Sequence, residues 1–292
     1  MRYFLKLSYN GTGFHGWQIQ TDASSVQQEI EEKLSIILQK KTSILGCGRT
    51  DSGVHASEFY AHFDTEEPIA LEAGHLIHKL NTMLHVHIAI QEVIEVEPEA
   101  HARFDATKRS YAYRISKLKN PFGSDLCYKL NVNLDLEKMN KACQLLLGEQ
   151  DFGSFCKAKA DNHTNMCNIF AASWKEEENQ IVFRITANRF LRNMVRAIVG
   201  TMLEIVNQPK LQSWLTKLIS RYGLTHYMPG VKTVYRLSWE RIAYTVYYPE
   251  LNKFLAAKGE FPGPKVQYDN LNELHSKHGS PILVTYFSRN DV

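Results

Sequence analysis

Residues 44–63 read ILGCGRTDSGVHASEFYAHF. Ile44–Cys47 and Glu58–Phe63 are predicted strands, and the turn-rich GCGRTDSGVHA lies between them. Gly46, Gly48 and Gly53 fall within eight positions, so the backbone is free to take positive φ or to approach a ligand closely. A strand, loop and strand of this kind place Arg49, Asp51 and His55 on a tight loop with a rigid scaffold on both sides, where functional groups concentrate. A carboxylate beside a guanidinium stays ionised and is available as a nucleophile or base. The competing reading is an ordinary turn in which Asp51 caps a backbone amide. The GxxxxGK[ST] spacing of a phosphate loop is absent, and no GxGxxG opens a helix.

Outward from this loop, helix and strand patterns alternate. Arg2–Tyr9 alternates apolar and polar as a strand does. Val26, Ile30, Leu34 and Ile37 mark one apolar helix face, with Ser24 or Ser25 at the N-cap. Leu71–Leu84 is a second helix and His85–Val96 a strand. The second half repeats the pattern. Lys108–Lys117 is a strand, Leu136–Leu147 a helix with Leu136, Met139, Cys143 and Leu146 on its apolar side, and Ile181–Thr186 a strand. Asn188 caps a helix that runs to about Val206. This predicts an α+β fold of two similar halves with mostly antiparallel sheets, residues 1–105 and 106–249. From Pro249 onward the pattern fades, with EFPGPK a breaker cluster, and the tail 250–292 balances five basic against five acidic residues. That balance marks a neutral extension and not a basic nucleic-acid-binding arm.

Composition narrows the function classes. The chain has 292 residues, a net charge of +3 and 44% hydrophobic residues, which excludes a disordered chain. Five cysteines without CxxC spacing argue for reduced thiols and against a disulfide framework or zinc ribbon. No apolar run reaches the ~18 residues of a membrane span, so a soluble cytoplasmic protein is expected. Local charge is more telling than the total. From Arg103 to Lys119, six basic residues face the single acid Asp105, interleaved with Phe104, Tyr111 and Tyr113. In a strand Arg109, Tyr111 and Tyr113 share a face, and cations with aromatics suit looped RNA. The competing reading is a charged strand edge with core tyrosines. Arg189, Arg192 and Arg196 fall at i, i+3 and i+7 on the predicted helix, with no acid before Glu204, and Asp51 is a candidate partner for Arg196. His85 and His87, or His163 with Cys167, lack a third ligand at a telling spacing, so surface or hydrogen-bonded histidines are favoured over metal. No GxSxG is present.

Taken together, GRTDSGVHA, LSYNGTGFHGWQIQ, SVQQEIEEKL, KLNTMLHVHIAI, HARFDATKRSYAYRI, LLGEQDFGSFCK and ANRFLRNMVRAIVGTMLEIV closely resemble the tRNA pseudouridine synthase A family from about residue 2 to 210. The usual family loop is GRTDAGVHA, and Ser52 replaces its alanine. The resemblance implies two α+β halves that flank a central RNA-binding cleft, the pseudouridine synthase fold. It implies that Asp51 is the catalytic nucleophile, attacking the target nucleoside at C6 or C1′, and that Arg196 pairs with it. Arg49 would displace the base, and Tyr111 would pack against the target uracil. Arg109 and Arg192 join them as candidate RNA-binding residues by charge. The substrate implied is the tRNA anticodon stem-loop at uridines 38 to 40, bound by a homodimer without metal or cofactor. Residues 221–249 depart from the family. Thr225 and Pro229 resemble remnants of its AGxTxPxxGLYL-like segment and Tyr248-Pro249 resembles the end of the strand that follows it, but the stretch is about ten residues longer, no GLYL appears, and Tyr235-Arg236-Leu237 is the candidate substitute. The alternative is therefore an RNA-binding protein of the same fold with impaired catalysis.

Overall fold

A computed structural model describes residues 1–119, 121, 126–157 and 162–203 in full, and the backbone of 204–207, 232–235, 245–247 and 283–288. The family departure at 221–249 and the tail 250–292 lie outside the described residues, apart from short strand backbones. Contacts divide the chain into two compact units, Met1–Ser110 with Ile282–Val292, and Tyr111–Pro281.

The first unit contains β1 (Arg2–Tyr9), α1 (Val26–Leu38), β2 (Leu45–Gly46), β3 (Ala56–Asp64), α2 (Ala73–Met83) and β4 (Ile88–Val96). Its sheet has the order β2-β3-β1-β4. β1 runs antiparallel to both neighbours, with Leu5 opposite Ala61 and Val93. Alternation explains its central position. Tyr3, Leu5, Leu7 and Tyr9 join Ile30, Leu34, Leu76 and Leu80 in the core, and burying each Leu or Ile contributes roughly 2 kcal/mol. Phe4 points the other way and stacks on His62 at 6.0 Å. α1 starts where expected, because Ser25 is extended and its hydroxyl accepts the Gln28 N–H at 3.2 Å. It stops at Gln39, which adopts the left-handed conformation with φ of 52°. α2 buries Leu76 and Leu80, one turn apart. It is clipped to β4 by Asn81, which donates to Ile90 O at 2.8 Å and accepts from Ile90 N at 2.7 Å.

β5 (Lys108–Ser116) crosses the boundary between the units. It is followed by β6 (Tyr128–Lys129), α3 (Leu136–Gln144), β7 (Gly148–Asp151), a 3₁₀ turn at Gly153–Phe155, β8 (Met166–Glu177), β9 (Gln180–Ala187) and α4 (Met194–Asn207). The backbones of β10 (Lys232–Tyr235), β11 (Thr245–Tyr247) and β12 (Leu283–Ser288) complete the described strands. β5, β9, β8 and β7 are neighbours in that order. β8 is antiparallel to β7 and β9, whereas β6 is parallel to β5. α3 buries Met139 and Cys143 and repeats the device of the first unit: Asn140 donates to Trp174 O at 3.0 Å and accepts from Trp174 N at 2.8 Å. The fold is α+β with mostly antiparallel sheets, as the sequence indicates.

Three local expectations change. α4 begins at Met194 and not after Asn188, because the Asn188 side chain accepts the Asn168 N–H at 2.8 Å and extends the β8–β9 pairing. Asn193, with φ of 68°, then turns the chain into the helix. Arg189 and Arg192 therefore precede α4, and only Arg196 lies on it. His85 and His87 form a turn, closed by Ile88 N donating to His85 O at 2.8 Å, and not the start of β4. β8 has no counterpart among the predicted elements, since a register shift between Ile169 and Ala171 interrupts its alternation. Among the described residues no helix is long and apolar enough to cross a membrane, and no group of three or more His, Cys, Asp and Glu side chains could hold a metal ion.

His62 is 6% exposed, and burial, with smaller contributions from Arg2 and His101, lowers its pKa from 6.5 to about 4. Its Nδ1 accepts the Ala102 N–H at 3.2 Å, which requires that nitrogen to be deprotonated. A depressed histidine pKa stabilises the fold fully above pH 6.5, and the contribution is lost as pH falls towards 4. Denaturant titrations of wild type should lose up to about 3 kcal/mol more than His62→Gln across this interval. Identical pH profiles for the two proteins would contradict this assignment.

Candidate active site

The loop between β2 and β3 is built on three supports. α1 holds its entrance, with the Gln27 amide donating to Ile44 O at 3.0 Å and Glu31 accepting Ile44 N at 2.9 Å. β3 holds Cys47, whose N–H donates to Tyr60 O at 2.7 Å. The third support is the loop of residues 10–17, which lies directly against residues 50–55. Trp17 N donates to Thr50 O at 3.1 Å, and Gly53 N donates to Phe14 O at 3.3 Å. The Ser52 hydroxyl also donates to Phe14 O, at 3.3 Å. Gly11 N donates to His55 Nδ1 at 3.2 Å, and the Tyr9 and Thr50 hydroxyls meet at 2.8 Å.

Glycine makes this approach possible. A Cβ on Gly11 would lie 2.2 Å from Val54 O, and one on Gly16, at φ of +92°, would lie 2.5 Å from Thr50 O. Gly46 serves a different purpose from conformational freedom, since a Cβ there would enter the Trp17 ring at 2.5 Å. Trp17 packs closely against Phe59, with centroids 4.2 Å apart and planes tilted by 33°, and Tyr9 completes the aromatic bed under the loop. The loop of residues 10–17 is itself seated on the start of α1, where Val26 N and Gln27 N donate to Gly16 O and Trp17 O at 3.2 and 3.0 Å. These are first-turn amides that have no partner within a helix. On this foundation Asp51 is half-buried, with its carbonyl accepting Val54 N at 3.2 Å, and Arg49 is exposed.

Arg109, in the same unit, joins two loops. One guanidinium nitrogen donates to Cys47 O at 3.4 Å and to Arg103 O at 2.9 Å. Tyr111, Arg192 and Arg196 belong to the second unit. Tyr111 is half-buried and meets Phe190 edge to face at 4.9 Å, while Tyr113 on the same face of β5 is a core residue. Burial holds the Tyr113 phenol well above its usual pKa, against the opposing pull of Arg196. Arg196 is 4% exposed in an otherwise apolar stretch of α4, where Met194, Val195, Ala197, Ile198 and Val199 are buried. Arg192 is exposed, and its carbonyl accepts Lys157 N at 3.0 Å.

Burial disfavours the thiolate at all five cysteines. All five cysteines are free, and burial pushes Cys47 and Cys143 up to about 12 and Cys127 and Cys167 up to about 11. Composition and spacing single out the Asp51 loop but not its bed. The three glycines of YNGTGFHGW were the available signal for a second tight loop.

Comparison with known proteins bears on this site. A family model described as tRNA pseudouridine synthase matches residues 142–236. The tRNA pseudouridine synthase A of Parabacteroides distasonis is 52% identical over 204 residues, covering 70% of this chain and 81% of that protein. That of Bacteroides fragilis is 49% identical over 206 residues, with the same shares of the two chains. That of Actinobacillus pleuropneumoniae is 36% identical over 234 residues, covering 80% of this chain and 88% of the relative.

Gly16→Ala adds a clash with Thr50 O to an unfavourable φ and should destabilise the fold by about 2 kcal/mol or more. Gly13→Ala has a similar φ, +86°, but nothing within 4 Å of the new Cβ. It should cost only about 1 kcal/mol. Equal losses in a denaturant melt would show that the two loops do not need their close approach.

Proposed function

This chain belongs to the tRNA pseudouridine synthase A family, and from that premise we propose that it isomerises uridine to pseudouridine in tRNA. We further propose that Asp51 is the nucleophile and that the targets are uridines 38 to 40 of the anticodon stem-loop. The observation that carries this reading is the hydrogen-bonded, glycine-admitted seat of the Asp51 loop. An electrostatic catalyst works best when its charged group is already in place, because no reorganisation is then required in the transition state.

In the proposed reaction the Asp51 carboxylate attacks the target nucleoside at C6 or C1′. The N1–C1′ bond breaks with its electron pair left on N1, uracil turns, a C5–C1′ bond forms, the bond to the Asp51 carboxylate breaks so that the carboxylate is regenerated, and the C5 proton leaves as N1 takes one up. Nothing is oxidised or reduced, so the balance requires no cofactor. Extracting the target base costs a few kcal/mol. Packing on Tyr111, worth ~1–3 kcal/mol, offsets that cost. Arg49 is assigned to displacing the base. Arg196 is assigned as the partner that keeps Asp51 ionised, and its burial favours this role, because a buried guanidinium is stable only when paired or fully hydrogen-bonded. Arg192 supplies charge for phosphate. Arg109 adds charge as well, while its bonds to Cys47 O and Arg103 O fix the start of the catalytic loop. A homodimer is the proposed assembly, and a soluble cytoplasmic enzyme the proposed setting.

Asp51→Ala should reduce tritium release from C5-labelled uridine in tRNA by at least about a thousand-fold while tRNA binding changes little. Undiminished release by the variant would remove Asp51 from the mechanism. Absence of release by wild-type protein that still binds tRNA would favour the non-catalytic RNA-binding reading. Arg192→Gln should reduce the slope of log K against log salt by about 0.7–0.9, the contribution of one phosphate contact. An unchanged slope would place Arg192 away from the RNA.

A further inference from the structure

The segment from His101 to Asp105 is folded as tightly as a core element, yet its largest apolar side chain faces water. His101 N donates to Asp105 Oδ2 at 2.7 Å, and Asp105 N returns to His101 O at 3.1 Å. Arg103 N and Phe104 N converge on His101 Nδ1 at 3.1 and 3.2 Å. Ala102 is buried and bonded to His62, which anchors the segment to the sheet. Phe104 nevertheless remains 75% exposed. One side of its ring stacks on His101, with centroids 4.2 Å apart and planes 28° from parallel. The Arg103 guanidinium stands 5.8 Å from the ring centroid.

A single exposed phenylalanine is unremarkable on a surface, but the backbone that carries this ring is fixed by hydrogen bonds to the His101 and Asp105 side chains, and the ring itself stacks on His101. Such a ring offers a π-face whose ordering cost is already met, with a cation at its side. Those are the features that bind an unpaired nucleobase with its phosphate, whereas an apolar protein partner would gain little from the neighbouring charge of Arg103 and Arg109. The location is also defined. The Arg109 guanidinium bonds both Arg103 O and Cys47 O, and Cys47 precedes Asp51 by four residues, so the Phe104 segment and the catalytic loop are tied together within one unit.

We propose that Phe104, backed by His101 and flanked by Arg103, is a stacking seat for an unpaired anticodon-loop nucleobase near the target uridine. This rests on the functional reading above and adds a contact with a base that is not itself isomerised. The seat recognises a π-face and a phosphate and is tolerant of base identity.

The test uses the full chain with unmodified tRNA transcripts, one intact and a set with single abasic positions scanned through the anticodon loop. Phe104→Ala should weaken binding to the intact transcript about ten-fold, and Phe104→Trp should retain wild-type affinity and show fluorescence quenching when tRNA is added. On one abasic transcript wild type and Phe104→Ala should bind equally, because the stacked base is already missing. Equal affinities on the intact transcript would overturn the proposal. So would a Phe104→Ala penalty that persists on every abasic transcript, or one that follows a change in sedimentation, which would mark the ring as a contact between copies of the chain. Pseudouridine assayed in parallel separates the two readings: wild type that binds but forms none overturns the proposed activity, while the binding comparison still decides the stacking seat.

Discussion

The carbonyl oxygens of Thr50 and Val54 occupy space that a side chain on Gly16 or Gly11 would need, at 2.5 and 2.2 Å from the positions a Cβ would take. This backbone-to-backbone contact is the constraint on which the site depends. It allows Trp17 N and Gly53 N to complete their hydrogen bonds across the two loops. It also carries order from the start of α1, through Gly16 and Trp17, to the turn that holds Asp51. In the proposed reaction a carboxylate on a free surface loop would have to be oriented anew for each substrate. Here the chain meets that entropic cost during folding.

The elements that strong periodicity specifies were legible in the sequence. Arg2–Tyr9 has the bounds its alternation indicates, and α1 begins after Ser25, one of the two cap residues considered. What was not legible depends on tertiary partners. Asn188 has the chemistry of a helix cap, but its side chain serves Asn168 in the sheet, and no local pattern reveals that competition. β8 is obscured by its bulge, and Gly46 is explained only by the Trp17 ring, which comes from another part of the chain. For the candidate site, residue type and spacing drew attention to Asp51 and Arg49. The bed formed by Tyr9, Trp17 and Phe59 reads in isolation as ordinary core.

Charge follows the same logic. A net +3 suggests little about partners, yet Arg49, Arg103 and Arg192 are exposed while Arg196 is buried. The exposed guanidiniums suit a polyanion, and the buried one suits a fixed carboxylate. Arg109 stands between these cases, since its charge belongs to a basic stretch while its hydrogen bonds hold two loops in register. Sequence counts would place all of them in one basic class. Burial and hydrogen bonding separate exposed guanidiniums from those committed to the fold.

The most direct test of the account is to map pseudouridine, nucleotide by nucleotide, in an unmodified tRNA incubated with the purified chain. The account predicts new pseudouridine confined to positions 38 to 40 with wild-type protein and none with Asp51→Asn. Folded, tRNA-binding protein that leaves every uridine unchanged would contradict it, as would modification by Asp51→Asn at the wild-type rate.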